Sequence, residues 1–446
     1  MAETIVAIAT AHGVSSISII RLSGDEALSI ARKMTKRENI PPREAILSSV
    51  YDSSHTLIDQ AIILYFAAPK SFTGEEVVEF QCHGGMVVAQ ELLDTARVLG
   101  ARLAEPGEFS KRAFLNGKID LTGAEATAKL IEARSVDAAR ILARQLKGEL
   151  KNFIDESRDA LLHLLAHSEV MIDYAEEDIP DDIVDKMLQQ LDDLAGKMLR
   201  IVETSRRRRG LIEGFRVAIV GKPNVGKSSL LNALLRYDRA IVSEIAGTTR
   251  DTIEEQVRIG SHIIRLVDTA GIREARDAIE RIGIERSMDS FEDADILIAL
   301  FDGSRSFDGE DRQILSLLEE AGEREVIVAV NKSDLPRRFD ATPLSRFDPV
   351  DVSATMGFER LTERLEEILD SVGRGEELML ISARQVEAVE QAEQAVERAA
   401  IPLKRGELEF FSYHIEEAVK HLSSISKPYE NEEILDKMFG EFCLGK

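Results

Sequence analysis

The sequence predicts a multidomain protein of combined α/β and α class. A small α+β domain is expected over residues 1–118, a helical domain in two pieces at 119–213 and 373–446, and an α/β domain inserted between them at 214–372. Three textures carry this reading. Residues 1–118 hold short β-rich runs separated by Gly, Pro and Ser signals. The two flanking pieces are dominated by Ala, Leu, Glu and Arg, with apolar residues at helical spacing. The segment between them alternates apolar strand runs with helical patterns, which implies a parallel sheet with crossover helices.

In chain order, Ser16–Arg21, Ala61–Phe66 and Glu75–Phe80 read as strands, and Val87–Leu99 as a helix between strands. His83 in Gln81-Cys82-His83-Gly84-Gly85 reads as a structural residue where the backbone turns after a strand. Leu142, Leu146, Leu150, Phe153 and Ile154 give the period of long helices, and Pro180 is the only proline in that stretch. Ile381, Val386, Val389, Ala392 and Val396 repeat that texture in the second piece. The strand runs of the inserted domain are Val217–Val220, Ile263–Val267, Ile296–Phe301, Val326–Val330 and Pro349–Val352. The run Arg206–Arg209 reads as a favourable helix C-terminus before a linker, with a tRNA phosphate contact as the sharper alternative. The acidic run Asp173–Asp178 reads as a solvated face.

The totals set bounds on function. With 446 residues, 44% hydrophobic and 30% charged, the chain has ordinary globular composition and mass for several cores. No apolar run approaches the roughly 18 residues of a membrane span, and no basic, apolar leader opens the chain, so a cytoplasmic location is expected. Two cysteines, Cys82 and Cys443, read as reduced thiols and make no metal site. A net charge of −24 argues against broad electrostatic capture of nucleic acid.

The sharpest signals lie in 214–372. Gly221-Lys222-Pro223-Asn224-Val225-Gly226-Lys227-Ser228 is a phosphate-binding loop in its required context, after one strand run and before the helical run Ser229–Leu235. Backbone N–H groups of such a loop wrap phosphate oxygens, Lys227 reaches the β- and γ-phosphates, and Ser228 ligates Mg²⁺. Asp268-Thr269-Ala270-Gly271 ends the next parallel run: Asp268 suits the outer shell of Mg²⁺ and the Gly271 N–H suits the γ-phosphate. Thr248 or Thr249, between these motifs, is expected to ligate Mg²⁺ as a switch element.

Asn331-Lys332-Ser333-Asp334 resembles the guanine-reading motif of translation-factor-related GTPases. A carboxylate at Asp334 accepts the ring N–H and the amine of guanine, a pair adenine lacks. Ser353-Ala354 resembles the loop that meets the guanine oxygen. All of these loops start at carboxyl ends of strands, where ligands bind in open α/β sheets, so a Ras-like P-loop GTPase domain is expected. Ile272 departs from Ras-like enzymes, which place a water-orienting glutamine after the Asp-x-x-Gly motif. Another group must orient the water here.

The whole chain resembles the MnmE (TrmE) family of tRNA modification GTPases. Four segments carry the resemblance: Gly247-Thr-Thr-Arg-Asp251; Asp268-Thr-Ala-Gly-Ile-Arg273 followed by Glu280-Arg-Ile-Gly-Ile-Glu-Arg286; Pro106–Leu121; and the tail Cys443-Leu-Gly-Lys446. The tail fits the family's Cys-x-Gly-Lys ending, with Leu444 where Ile is frequent. The resemblance implies that Glu280 orients the water. It also implies a K⁺ ion, bound as two G domains dimerise, with Asn224 as side-chain ligand, backbone ligands from Ser243 and Ile245, and a contact near Thr248. Mg²⁺ falls to Ser228 and Thr249, and the nucleotide-contacting set extends over Val225, Gly226, Ser229, Glu244, Ala246, Gly247, Thr269, Ala270 and Ser333.

For the N-terminal domain the resemblance implies a folate-binding-like fold that dimerises the protein. A 5-formyltetrahydrofolate site would use Arg21, Glu79, Lys118 and Lys446, and Cys443 is the family's functional thiol. The implied activity is a K⁺-stimulated GTPase acting as a homodimer. With a flavoprotein partner, MnmG (GidA), it would add a carboxymethylaminomethyl-type group to position 5 of the tRNA wobble uridine from a folate one-carbon unit. Contact with tRNA is expected mainly through that complex, with weak binding by this chain alone. A regulatory GTPase of ribosome assembly is the alternative, disfavoured by the tail and the N-terminal domain.

Overall fold

The computed structural model describes residues 3–11, 13–173, 182–237, 255–267, 294–319, 324–353, 355–373, 375, 377–426, 435, 438–440, 442 and 445. The chain divides into two compact units: 1–131, 145–188 and 394–446 form the first, and 132–144 with 189–393 the second. Both helical stretches contribute to both units.

The first unit contains a six-stranded mixed sheet in the order β3-β4-β5-β2-β1-β6. Its strands are β1 (Ile5–Ile8), β2 (Ile17–Ser23), β3 (Ile46–Tyr51), β4 (Leu57–Phe66), β5 (Val77–His83) and β6 (Arg102–Leu103). All pairings are antiparallel except β1 with β6. Helices α1 (Ala27–Thr35) and α2 (Met86–Val98) cover one face, over Ile20, Leu22, Ile63, Val78 and Phe80. Full burial of each such side chain is worth about 1.5–3 kcal/mol. The strands read from the sequence appear as β2, β4 and β5 and the helix as α2, while β1, β3 and β6 were not anticipated. The last of these is two residues long, too short to show a period.

Gly24 lies at a φ of 129°, and a Cβ there would come within 2.8 Å of the Thr4 Cα. That close passage lets the Thr4 hydroxyl accept the Glu26 amide at 3.0 Å, which caps α1 from outside the helix. His83 ends β5, and its Nδ1 lies 2.8 Å from Asp59 Oδ1, a structural tie between adjacent strands.

Beyond β6 come α3 (Glu108–Leu115), α4 (Leu121–Glu132), α5 (Val136–Leu146) and the 25-residue α6 (Glu149–Asp173). Glu108 is 8% exposed and forms the centre of an ion network. It takes both terminal nitrogens of Arg102 (2.8 and 2.6 Å) and the Arg112 Nη2 (2.9 Å), while Arg112 also holds Glu75 at 3.0 Å. Among the described residues α6 packs on Leu408–Ser426, with the buried Ser168 hydroxyl 3.0 Å from that of Ser412. Leu150, Ile154, Leu161 and Leu164 of α6, and Phe411, Ile415, Ala418 and Leu422 opposite, give each helix one apolar stripe.

The second unit holds α7 (Ile183–Arg207) from residue 189, the short α8 (Gly210–Glu213), and a six-stranded sheet in the order β12-β11-β10-β7-β9-β8. The strands are β7 (Phe215–Val220), β8 (Glu255–Ile259), β9 (His262–Leu266), β10 (Ile296–Asp302), β11 (Glu325–Asn331) and β12 (Val350–Asp351). All five expected runs are strands, and they pair in parallel as the alternation implied. The unanticipated β8 is an antiparallel edge strand whose Gln256 and Arg258 interrupt the apolar run that marks a central strand. Helices α9 (Lys227–Tyr237), α10 (Gly309–Glu319) and α11 (Glu359–Gly373) accompany the sheet, and α12 (Ala383–Arg405) follows.

Burial pushes the Glu108 carboxyl up, but the bonds from Arg102, the Glu105 amide and Arg112 outweigh this and hold it at about 2, against an ordinary value of 4.5. A lowered native pKa means that its stabilisation is complete above pH 4.5 and is lost as pH falls towards 2. Glu108→Gln should therefore lower stability by about 2–3 kcal/mol at pH 7, with the difference from wild type closing between pH 4.5 and 2. Urea unfolding followed by circular dichroism across that range checks it.

Candidate functional site

The described residues expected to bind nucleotide gather at the carboxyl ends of β7, β10 and β11. The loop 221–226 links β7 to α9. Gly226 has a φ of 105°, and a Cβ there would collide with the Asn331 Nδ2. Asn224 also adopts a left-handed conformation, with a φ of 63°. The loop is gripped from the β11 side: Asn331 Nδ2 donates to the Val225 carbonyl at 2.8 Å, and Lys332 Nζ to the Asn224 carbonyl at 3.0 Å. Lys227 lies on the loop's own carbonyls, donating to Gly221 O at 2.6 Å and Lys222 O at 3.0 Å. Ser228 and Ser229 are exposed in the first turn of α9.

Asp302 is a member of this site that the motifs did not reveal. It ends β10, is 2% exposed, and accepts Lys332 Nζ at 2.6 Å. Burial pushes its carboxyl up, but Lys332 and the Ser304 hydroxyl and amide outweigh this and hold it below the usual carboxylate range. The signal available in the sequence was an acid directly after the apolar run Ile296–Phe301, followed by Gly and Ser.

The segment expected to read the base closes on itself. Ser353 Oγ donates to Asp334 Oδ1 at 2.7 Å, and the Ser333 amide donates to Val352 O at 3.1 Å. The Asp334 carboxylate is thus fixed from one side, and its second oxygen carries no hydrogen bond from a described residue. The Ser353 amide is engaged by Gly357 O at 2.8 Å. An anchored carboxylate beside a phosphate-binding loop can accept the paired N–H groups of guanine.

The other expected nucleotide and metal residues lie outside the described residues: Ser243, Glu244, Ile245, Ala246, Gly247, Thr248 and Thr249 in 238–254; Asp268, Thr269, Ala270, Gly271 and Glu280 in 268–293; and Ala354. The same holds for Cys443, Lys446 and most of the acidic run Asp173–Asp178. Among the described residues no cluster of His, Cys, Asp and Glu forms a metal-ligating group.

In the first unit, Arg21 and Glu79 are register partners across β2 and β5, joined at 2.8 Å from Nε to Oε1. They lie on the sheet face away from α1 and α2, and the Arg21 guanidinium stands 5.9 Å from the Phe72 ring centre and 5.8 Å from that of Phe109. Lys118 is exposed, with its stem against Gly74. In the C-terminal tail, Gly445 packs on the Ile8 carbonyl at the end of β1. Cys82 is 2% exposed, and burial pushes its thiol up to about 11, which makes it unreactive.

Three of the four arginines in the basic run make contacts within the second unit. Arg206 pairs with Glu390 at 2.8 Å, Arg209 with Glu213 at 2.5 Å, and the buried Arg208 donates to the carbonyls of Gly373 and Gly375, both at 3.0 Å. Arg206 and Arg207 occupy the last turn of α7, as expected for a helix C-terminus. No described helix is long and apolar enough to cross a membrane.

Comparison with known proteins adds the following. The model of the GTP-binding protein TrmE N-terminus matches residues 4–118, and that of the MnmE helical domain matches residues 121–443. The chain is 70% identical over 446 residues to the tRNA modification GTPase MnmE of Sulfurovum sp., covering 100% of this chain and 99% of that one. It is 57% identical to the protein of the same description from Aliarcobacter butzleri, with the same coverage. A solved G domain of the T. maritima FeoB iron transporter aligns over 36% of this chain and 99% of its own, at 28% identity and a TM-score of 0.25.

Asp334→Asn should remove the acceptor pair and weaken guanine nucleotide binding by roughly a hundredfold, the order expected when buried polar groups lose charged partners. It should bring no gain in adenine nucleotide binding. Displacement of a fluorescent GDP analogue by GDP and ADP measures both.

Proposed function

This chain belongs to the MnmE family of tRNA modification GTPases, and we propose that it acts as a K⁺-stimulated homodimer on the wobble uridine of tRNA. GTP hydrolysis is the family's activity, and the geometry at β7, β10 and β11 supports it: the phosphate loop is tied to the base-reading motif through Asn331 and Lys332. Mg²⁺ would be held by Ser228 and Thr249. Asn224, held left-handed at the crest of the loop, would offer its side chain to K⁺, with Ser243, Ile245 and Thr248 completing the set. Such a cation supplies charge neutralisation worth about 10³–10⁵ in rate when an arginine finger plays that part. Glu280 would orient the water, since Ile272 has no hydrogen-bonding group.

The N-terminal domain would bind a tetrahydrofolate carrying the one-carbon unit, as a folate-binding-like fold. The Arg21–Glu79 pair supports this reading: a carboxylate fixed by an arginine between two aromatic rings suits the donor edge and face of a pteridine. Gly445 packs against β1 of the same domain, and this supports roles there for Lys446 and Cys443. The helical stretches would form one discontinuous domain with the G domain inserted. A flavoprotein partner, MnmG (GidA), would supply the redox chemistry and most of the tRNA contact, in the cytoplasm.

The GTPase rate of the purified protein should be far higher in K⁺ than in Na⁺ at equal ionic strength, and Glu280→Ala should lose that stimulation. Equal rates in the two salts would remove both the cation and Glu280 from the mechanism while leaving the GTPase intact. Independently, Glu79→Gln should weaken binding of 5-formyltetrahydrofolate by about tenfold or more, the scale of a lost charge-assisted hydrogen bond. Unchanged affinity by calorimetry would withdraw the folate site.

A further inference from the structure

Lys222 is the second residue of the phosphate loop, and its side chain runs to the start of α10. That side chain is 6% exposed, and its ammonium donates to Asp308 Oδ2 and Asp311 Oδ2, each at 2.7 Å. The two carboxylates are fixed independently, because they cap the start of α10 reciprocally. Asp308 Oδ1 accepts the amides of Glu310 and Asp311 at 3.0 and 3.1 Å, and Asp311 Oδ2 accepts the amide of Asp308 at 3.1 Å. Asp311 is 1% exposed, and its Oδ1 has no hydrogen-bond partner among the described residues. Its buried charge therefore depends on Lys222, its ion-pair partner among the described residues. Burial pulls the Lys222 ammonium down, but the two carboxylates more than restore it, so the lysine stays charged.

The backbone of the same residue meets the Lys227 side chain. Lys222 O accepts Lys227 Nζ at 3.0 Å, beside Gly221 O at 2.6 Å. The loop is thus held at two shoulders. The downstream shoulder, Asn224 and Val225, is tied to the base-reading motif. The upstream shoulder is tied to α10 through the Lys222 side chain. We propose that Lys222 is a positioning residue: clamped by Asp308 and Asp311, it fixes the upstream shoulder and, through its carbonyl, aims Lys227 at the β- and γ-phosphates. The proposal rests on the phosphate-loop role of Lys227. It predicts a selective defect, since only phosphates beyond the first meet Lys227 while guanine is read from the other shoulder.

The test uses the full chain and displacement of a fluorescent GDP analogue by GDP and by GMP. Lys222→Met should weaken GDP by about tenfold, the order of one charge-assisted hydrogen bond, and change GMP by less than twofold. Lys222→Arg, which can reach both carboxylates, should recover most of the GDP affinity. Lys222→Met/Asp311→Asn removes the unpaired buried charge and should recover the thermal midpoint without recovering GDP affinity. That double variant carries the test if the single one does not fold. GDP affinity unchanged in Lys222→Met, equal losses for GDP and GMP, or return of GDP affinity in the double variant would each reduce Lys222 to a structural ion pair and overturn the proposal. Failure of the wild-type chain to bind GDP would instead refute the nucleotide site itself.

Discussion

The nucleotide site hangs from the ion pair between Asp302 and Lys332. The strand order explains why. β10 lies between β7, which leads into the phosphate loop, and β11, which leads into the base-reading motif. A carboxylate at the end of β10 is therefore placed to organise both neighbours. At 2% exposure Asp302 needs a partner, and Lys332 meets it at 2.6 Å while bonding the Asn224 carbonyl. Breaking a buried pair of this kind costs about 3–5 kcal/mol, because the remaining charge is stranded. Three strand ends are thus locked into one piece, and the phosphate grip and the base grip keep a fixed separation before any nucleotide arrives.

The described groups expected to meet phosphate and base, in the loop 221–226 and at Asn331–Asp334, sit on strand ends and a helix start that are tied together by hydrogen bonds. The groups to which hydrolysis is assigned, Glu280 and the threonines at 248 and 249, fall in 238–254 and 268–293, outside the described residues. Ile272 shows from the sequence alone that the chemistry departs from the Ras-like pattern. The binding scaffold, by contrast, keeps the form its motifs imply.

What was legible in the sequence follows the range of the interactions. The phosphate loop, Asn331–Asp334 and Ser353 were readable because their chemistry is local: each motif contains the residues that do its work. The five parallel strands were readable because burial on both faces leaves near-continuous apolar runs. Asp302 and the Lys222 clamp were not readable, since their partners lie 30 and 86 to 89 residues away and only the strand order brings them together. The edge strand β8 was missed because one-sided burial erased its apolar run. The Arg21–Glu79 pair came from family resemblance and not from spacing, since no local pattern joins residues 58 apart.

The arginines bear on how an acidic chain meets tRNA. With a net charge of −24, contact with phosphates would need a concentrated basic surface. The one basic run in the sequence does not provide it. Arg206 and Arg209 are neutralised by Glu390 and Glu213, and Arg208 is consumed by two backbone carbonyls at the exit of α11. In the N-terminal domain Arg21, Arg102 and Arg112 are likewise paired with Glu79, Glu108 and Glu75. Arginine here is used to hold buried or half-buried acids in place and to close chain ends, a task that suits its planar, multidentate head. Much of this positive charge is matched by neighbouring acids of the same chain, and that supports the proposal that a partner supplies most of the tRNA contact.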